Sequence, residues 1–191
     1  MAKGYFAPSV KRAFEILKLV SASKDGIGIS DIARGLRMAK STVHGMTSAL
    51  EEIGAVLRDP ATKRYTLGFT LFELGKSAYS QIDLKDLARP LAEELMERTQ
   101  ASVFLGVLNW DHVTIVDVVE PRTELKITAP IGTTLPLLAG AAGKVFLSRL
   151  DEEEVKRIIK TKGLTRFTEK SITSTERYLQ EIRAVREKGF A

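Results

Sequence analysis

The chain has 191 residues, no cysteine, and 29 Lys and Arg against 24 Asp and Glu, for a formal net charge of +5. The missing cysteines exclude disulfides, thiol nucleophiles and zinc fingers, and no apolar run reaches the roughly eighteen residues needed to cross a membrane. The N-terminus, Met1 to Pro8, lacks the apolar stretch of a signal peptide, so the expected setting is the cytoplasm, and the length suits one or two domains with a real core.

In chain order, the first helix is expected from Pro8 or Ser9 to about Ser21. Its apolar stripe is Val10, Ala13, Phe14, Leu17 and Val20, widened by Ile16 and Leu19. Lys24 to Gly28 reads as a loop, and Ile29 as a short strand or anchor. A second helix opens with Ser30 or Asp31 as its cap and turns Ile32, Ala33 and Leu36 to one face. Met38 is a turn residue that must bury. A third helix, capped near Lys40 or Ser41, repeats the spacing with Val43, Met46 and Leu50. Val56 to Arg58 and Arg64 to Leu67 alternate as the strands of a hairpin around the turn Asp59-Pro60-Ala61-Thr62.

This is the order of a winged helix-turn-helix. The polar face of that third helix carries Lys40, Ser41, Thr42, His44, Thr47 and Ser48, short or basic residues suited to base edges and phosphates in a major groove. Arg58, Lys63 and Arg64 flank the wing turn, where a positive tip lies along a phosphate backbone or in a minor groove. Charge supports that reading over a polar helical bundle. Residues 1–68 hold eleven Lys and Arg against six Asp and Glu, whereas residues 69–191 hold eighteen of each. The whole excess sits on the winged segment, the footprint of a polyanionic partner, here double-stranded DNA.

Beyond Gly68, Phe69 to Tyr79 reads as a stiff connecting helix, and Leu84 to Thr99 as a longer one with Leu84, Leu87, Ala88, Leu91, Leu95 and Met96 on one face. Pro90 should kink it or fall in a first turn. Ala101 to Leu108 and Val113 to Val119 are β-branched runs joined at Asn109-Trp110-Asp111-His112, a hairpin signal. Trp110 is either an interface anchor or an aromatic cap on the local core. Leu125 to Ala129 reads as a third strand, Gly132 to Pro136 as a turn, Ala139 to Leu147 as a small-residue helix, and 151–161 and 175–188 as amphipathic helices. The expected class is α+β: a winged helix-turn-helix domain over 1–68, a linker helix over 69–80 and an α/β effector domain over 81–191.

An enzyme is disfavoured, and no cofactor is implied. The two histidines, His44 and His112, fall on the recognition helix and in a hairpin turn, so neither a His-based triad nor a metal set is visible. Gly140 to Lys144 lacks the phosphate-loop spacing, and Val145 stands where Ser or Thr would be needed. Asp117 and Glu120 suit a solvated strand end better than an acid–base pair.

The whole pattern resembles the bacterial IclR family of transcriptional regulators. The matching segments are Ala39 to His44, Leu50 to Gly54, Leu57 to Pro60, Arg64 to Gly68, Leu71 to Gly75, Asp86 to Pro90, Leu135 to Lys144, Arg166 to Thr168, Ser171 to Thr173 and Arg186 to Phe190. They cover nearly the whole chain in the family's order. The resemblance implies a homodimer or tetramer that binds operator DNA, with a GAF-like C-terminal domain taking a small organic acid. By position, the effector pocket would draw on Ile127, Leu135, Ala141 and Ala142. The backbone N–H groups from Gly140 onward, at a helix start, would attract a carboxylate. Two alternatives stay open: the small residues only permit close helix–sheet packing, or the C-terminal domain is an oligomerisation scaffold without a ligand. Two departures are expected to matter. Arg37 stands where the family commonly has Gly, so a left-handed turn there would cost about 1 kcal/mol unless its guanidinium gains a phosphate. The family's domain also continues beyond the position of Ala191 with further strands and a last helix, so an incomplete effector domain is expected.

Overall fold

The computed structural model describes residues 7–191. Residues 1–6, part of the stretch considered for a signal peptide, lie outside the described residues. The α+β chain divides into two compact units, one ending at Gln81 and the other running Ile82–Ala191.

The first unit comprises α1 (Pro8–Ser21), α2 (Ile29–Leu36), α3 (Lys40–Glu52), β1 (Val56–Arg58), β2 (Tyr65–Leu67) and α4 (Phe69–Ser80). Proline begins α1, where its missing N–H would have had no helical acceptor. Ile16, Val20, Ile32, Val43, Val56 and Tyr65 form the centre of one core, and Met38 packs against it from the turn. Leu17 and Val20 of the expected α1 stripe are buried and Ala13 packs against them, but the end of the stripe at Val10 and Phe14 is uncovered. Val10 and Phe14 are 57% and 60% exposed, whereas Ile16 is fully buried. The apolar arc of α1 is wider than the surface that α2, α3 and the wing offer it, so only its Ile16–Leu17–Val20 side is covered.

Helix caps also differ from expectation. Gly28 and Ala39 precede α2 and α3, neither helix has a side-chain cap, and Ser30 lies inside the first turn of α2. Ile29 is the first residue of α2, and Ile27 makes the strand-like contact instead, bridging to Tyr65. The two backbone bonds of that bridge, Ile27 N–H to Tyr65 O at 3.0 Å and Tyr65 N–H to Ile27 O at 2.9 Å, occupy donors that capping residues do not touch.

The second unit contains α5 (Asp83–Thr99), β3 (Val103–Asn109), β4 (His112–Val119), β5 (Thr134–Pro136), α6 (Gly140–Leu147), α7 (Glu152–Lys162) and α8 (Thr175–Lys188). Its sheet is antiparallel in the order β3-β4-β5. Val113, Leu147, Val155, Ile159, Tyr178 and Ile182 lie in its core. Asp151 and Ser174 cap α7 and α8 through their side chains. Arg89 of α5 reaches Asp117 of β4 at 3.1 Å, tying helix to sheet.

One expectation fails here, and of the two roles open to Trp110 the core cap drops out. The third strand is Thr134–Pro136 rather than Leu125 to Ala129, because the free edge of β4 at His112–Thr114 is taken by β5 and Ile115 is bonded by Gly132 and Thr133. Residues 125–129 join no strand, and Leu125 and Ile127 are 94% and 80% exposed. The apolar face of α5 contributes no buried residue, and Pro90 sits inside that helix without ending it. Trp110, at φ 54° beside the Asn109–His112 pair, is 94% exposed and caps no core. A left-handed residue in so tight a turn directs its side chain away from the sheet.

Candidate nucleic-acid interface

The turn between α2 and α3 fixes how the recognition helix is presented. Arg37 closes α2 in the left-handed conformation, φ 52° and ψ 48°, as its place in the family pattern led one to expect. The Met38 N–H then donates back to Ala33 O at 2.9 Å, the long backbone bond of a Schellman-type stop. Burial of Met38 against the core completes the stop. Ala33, 5% exposed, is small enough for α3 to cross here.

On α3, Lys40, Ser41, Thr42, His44 and Ser48 are all exposed. Thr47 is not. It is fully buried, and its hydroxyl donates to Val43 O at 2.9 Å and His44 O at 3.0 Å. Four residues after Val43, it lies on the core face of the helix, so it is corrected from a DNA-contacting residue to a structural one. Gly45, which the pattern did not single out, lies on the exposed face, and a Cβ built there would meet nothing within 4 Å.

The wing is braced rather than loose. Strands β1 and β2 pair Arg58 with Tyr65, and the Arg58 guanidinium lies 5.9 Å from the Tyr65 ring centre. At the tip, an Asp59 carboxylate oxygen accepts from the backbone N–H groups of Ala61 at 2.8 Å and Thr62 at 2.7 Å. The Thr62 N–H bond is the main reason that the Asp59 carboxyl stays below the usual range. Lys63 turns the chain at φ 58°. Arg64 donates from Nη1 to Gly26 O at 3.0 Å, so it fastens the wing to the loop before α2. No sequence pattern announces that contact between residues so far apart in the chain. Arg37, Arg58, Lys63 and Arg64 are all exposed.

Arg64→Ala is therefore expected to have two separable effects. Loss of the Gly26 bond should cost about 1 kcal/mol in unfolding experiments. Loss of one phosphate contact should flatten the dependence of log K on log salt by about 0.9. A stability change without a slope change would make Arg64 a brace alone.

In the second unit, the residues proposed for an effector do not gather. Ile127 lines a cavity of about 460 Å³ with Ser102, Phe104 and Leu125. Gly140 lines another, of about 280 Å³, with Lys144, Phe167 and Tyr178. Leu135, Ala141 and Ala142 line neither; Leu135 pairs with Val113 in the sheet. The run around Gly143 has an evident packing task, because a Cβ on Gly143 would fall 1.9 Å from Leu137 O. Among the described residues, no cluster of three or more His, Asp and Glu could hold a metal, and no helix is long and apolar enough to cross a membrane.

Comparison with known proteins decides the affiliation. The IclR helix-turn-helix domain matches residues 9–60, and the bacterial transcriptional regulator IclR C-terminal domain matches residues 76–191. The chain belongs to the IclR family. It is thus a DNA-binding transcriptional regulator by family, and its relatives are regulators rather than enzymes. It is 34% identical over 182 residues to the HTH-type transcriptional regulator KdgR of Escherichia coli, covering 95% of this chain and 69% of that one. It is 27% identical to the transcriptional repressor IclR of Escherichia coli, covering 96% and 68%. An IclR transcriptional regulator from Alicyclobacillus acidocaldarius has the same fold, with TM-score 0.79, 31% identity, and coverage of 98% and 76%.

Proposed function

We propose that this IclR-family chain represses transcription by binding a near-palindromic operator as a homodimer, in the cytoplasm, and that a small organic acid modulates it. The observation that carries the reading is the exposed polar face of α3 beside a wing whose Arg58, Lys63 and Arg64 are held in place by backbone and side-chain bonds. Two such helices would enter successive major grooves about 34 Å apart, with Lys40, Ser41, Thr42 and His44 touching bases or neighbouring phosphates and Arg37 a phosphate.

Apolar side chains left open on the first unit support a dimer. Val10 and Phe14 on α1 and Phe69 and Phe72 on α4 are all more than half exposed, as a surface awaiting a second copy would be. The effector is assigned to the second unit, where Ile127, Leu135 and the backbone of Gly140, Ala141 and Ala142 are the residues proposed. An acid that binds two dimer or tetramer geometries unequally would change half-site spacing and so affinity. The close approach of Gly143 to Leu137 O favours a second reading, in which the small residues serve packing and the C-terminal unit is an oligomerisation scaffold.

Selection of genomic fragments at two salt concentrations tests the operator reading. Enrichment of a near-palindrome is expected, and salt-sensitive retention of unrelated sequences with no enriched motif would refute it. Gly45→Ala offers a sharper test of which face meets DNA. Ala should stabilise α3 by up to about 1 kcal/mol, since the added methyl meets nothing. Operator affinity should nonetheless fall by about tenfold, because the methyl then meets the groove. Higher stability with unchanged affinity would move the interface off this face.

A further inference from the structure

Helix α4 is seated on the winged unit by its start. Phe72 to Ala78 are all exposed, and the helix contributes no buried residue. The contacts that join it to α3 and the wing lie at Gly68, Thr70 and Leu71. Gly68 donates its N–H to Ala55 O at 2.8 Å, and a Cβ built on it would fall 2.0 Å from Gly54 O. That close approach of two backbones fixes where α4 begins. Leu71 then packs against the core of the first unit.

Thr70 supplies the direction. The N-cap of α4 is Gly68, with no side-chain cap, and the Thr70 hydroxyl donates instead to Ile53 O at 3.1 Å. Ile53 is the residue that ends the recognition helix α3. The last carbonyls of a helix find no partner within it. The last turn of α3 carries Glu51 and Glu52 and no basic residue to answer its negative end. The hydroxyl of Thr70 meets that need from beyond the wing, seventeen residues along the chain. Gly54 turns the chain between them at φ 70°, and a Cβ on it would lie 2.6 Å from Thr70 Oγ1. The end of the recognition helix and the start of the connecting helix are thus joined directly.

We propose that Thr70 is a positioning residue for DNA binding: its bond to the end of α3 sets the angle between α3 and α4, and through α4 the separation of the two recognition helices in a dimer. This rests on the dimeric operator reading given above. A helix of twelve residues is about 18 Å long, so a tilt of about 10° at its first turn moves its far end by about 3 Å, close to the roughly 3.4 Å rise of one base pair. Phe69 and Phe72, exposed with ring centres 5.1 Å apart, stand at the start of the same helix. A second copy gripping them takes its bearing from the junction that Thr70 locks. The residue therefore acts on operator spacing without touching DNA.

Thr70→Val removes the donor and keeps the shape, whereas Thr70→Ser keeps the donor. Two measurements on the full chain test the proposal. Without DNA, backbone residual dipolar couplings of α3 and α4 should fit one orientation in the unmutated protein and in Thr70→Ser, and two orientations in Thr70→Val. With DNA, the half-site recovered by genomic selection is placed in pairs at a series of spacings, each differing by one base pair. The unmutated protein and Thr70→Ser should prefer one spacing over its neighbours by about tenfold or more, and Thr70→Val by about threefold or less. Affinity for a single half-site should stay within about twofold in Thr70→Val, because phosphate and base contacts are untouched. A residue that only stabilised the fold would lower Tm and weaken single and paired half-sites alike. One orientation in Thr70→Val, an unchanged spacing preference, or an equal loss on single half-sites would each overturn the proposal. Selection that returns no palindrome would refute the operator reading, and the couplings, which need no DNA, would still decide whether Thr70 holds the two helices together.

Discussion

Gly143→Ala is expected to destabilise the C-terminal unit by about 3 kcal/mol or more, enough to leave much of it unfolded. The added Cβ would lie 1.9 Å from Leu137 O and 2.7 Å from its carbonyl carbon. Both are backbone atoms of a segment that follows directly from β5, so no side-chain rotation relieves the overlap. Either α6 moves off the sheet, opening the core around Leu137 and Leu147, or the segment after Pro136 shifts and loses its register with β4. Ordinary overpacking costs about 1–3 kcal/mol, and a clash between backbones belongs at the top of that range or above it. Hydrogen exchange resolved by residue would check this. Amides of α6 and α8 should lose protection, while those of α1 to α3 should keep theirs. Near-normal protection across α6 would show that the two segments separate cheaply, and would remove the packing explanation for the small-residue run.

The second large effect concerns DNA. Replacing Arg58 and Lys63 together by Ala should cut operator affinity by about tenfold to a hundredfold at physiological salt and reduce the slope of log K against log salt by about 1.8, the signature of two lost phosphate contacts. Fold stability should fall by no more than about 1 kcal/mol, the worth of the Arg58–Tyr65 cation–π contact. Both side chains are exposed, and the left-handed conformation of Lys63 burdens Ala about as much as Lys. The loss should be uniform across operator variants, because phosphate contacts carry no base information. A loss confined to one base pair would instead place one of these side chains in a groove reading sequence. Parallel measurement on Arg64→Ala separates the brace from the contacts, since only that variant breaks the bond to Gly26.

Much of this was legible in the residues. The order of helices and wing strands follows from apolar spacing and turn chemistry, and the localised positive charge points to DNA without any coordinates. Thr47 shows where that reasoning stops. Sequence type made it a polar residue on a polar helix, but its place four residues after Val43 turns it inward, and its hydroxyl is satisfied by its own helix. Exchange of Ile29 for Ile27 at the wing, and of Leu125 to Ala129 for Thr134–Pro136 in the sheet, has a common cause. Several β-prone segments compete for a limited number of open strand edges, and local propensity does not say which will win.

The effector residues illustrate the same boundary at a functional level. Ile127, Leu135 and Gly140 to Ala142 are chosen by family position and by chemistry, yet two separate cavities receive Ile127 and Gly140. Thr70 could not have been singled out from the sequence, since a hydroxyl in the first turn of a helix reads as serving that helix, and its partner seventeen residues back is met only in the fold.

By itself, the sequence determined the family, the winged helix-turn-helix with its basic tip and the α/β character of the second unit, all properties set by spacing, charge and local backbone preference. Tertiary structure alone decided which face of α1 is buried, that Thr47 belongs to the core, that Arg64 braces the wing, and where cavities lie. Those are outcomes of contacts between residues distant in the chain, where close packing and the satisfaction of buried polar groups select among arrangements that local preference leaves equivalent.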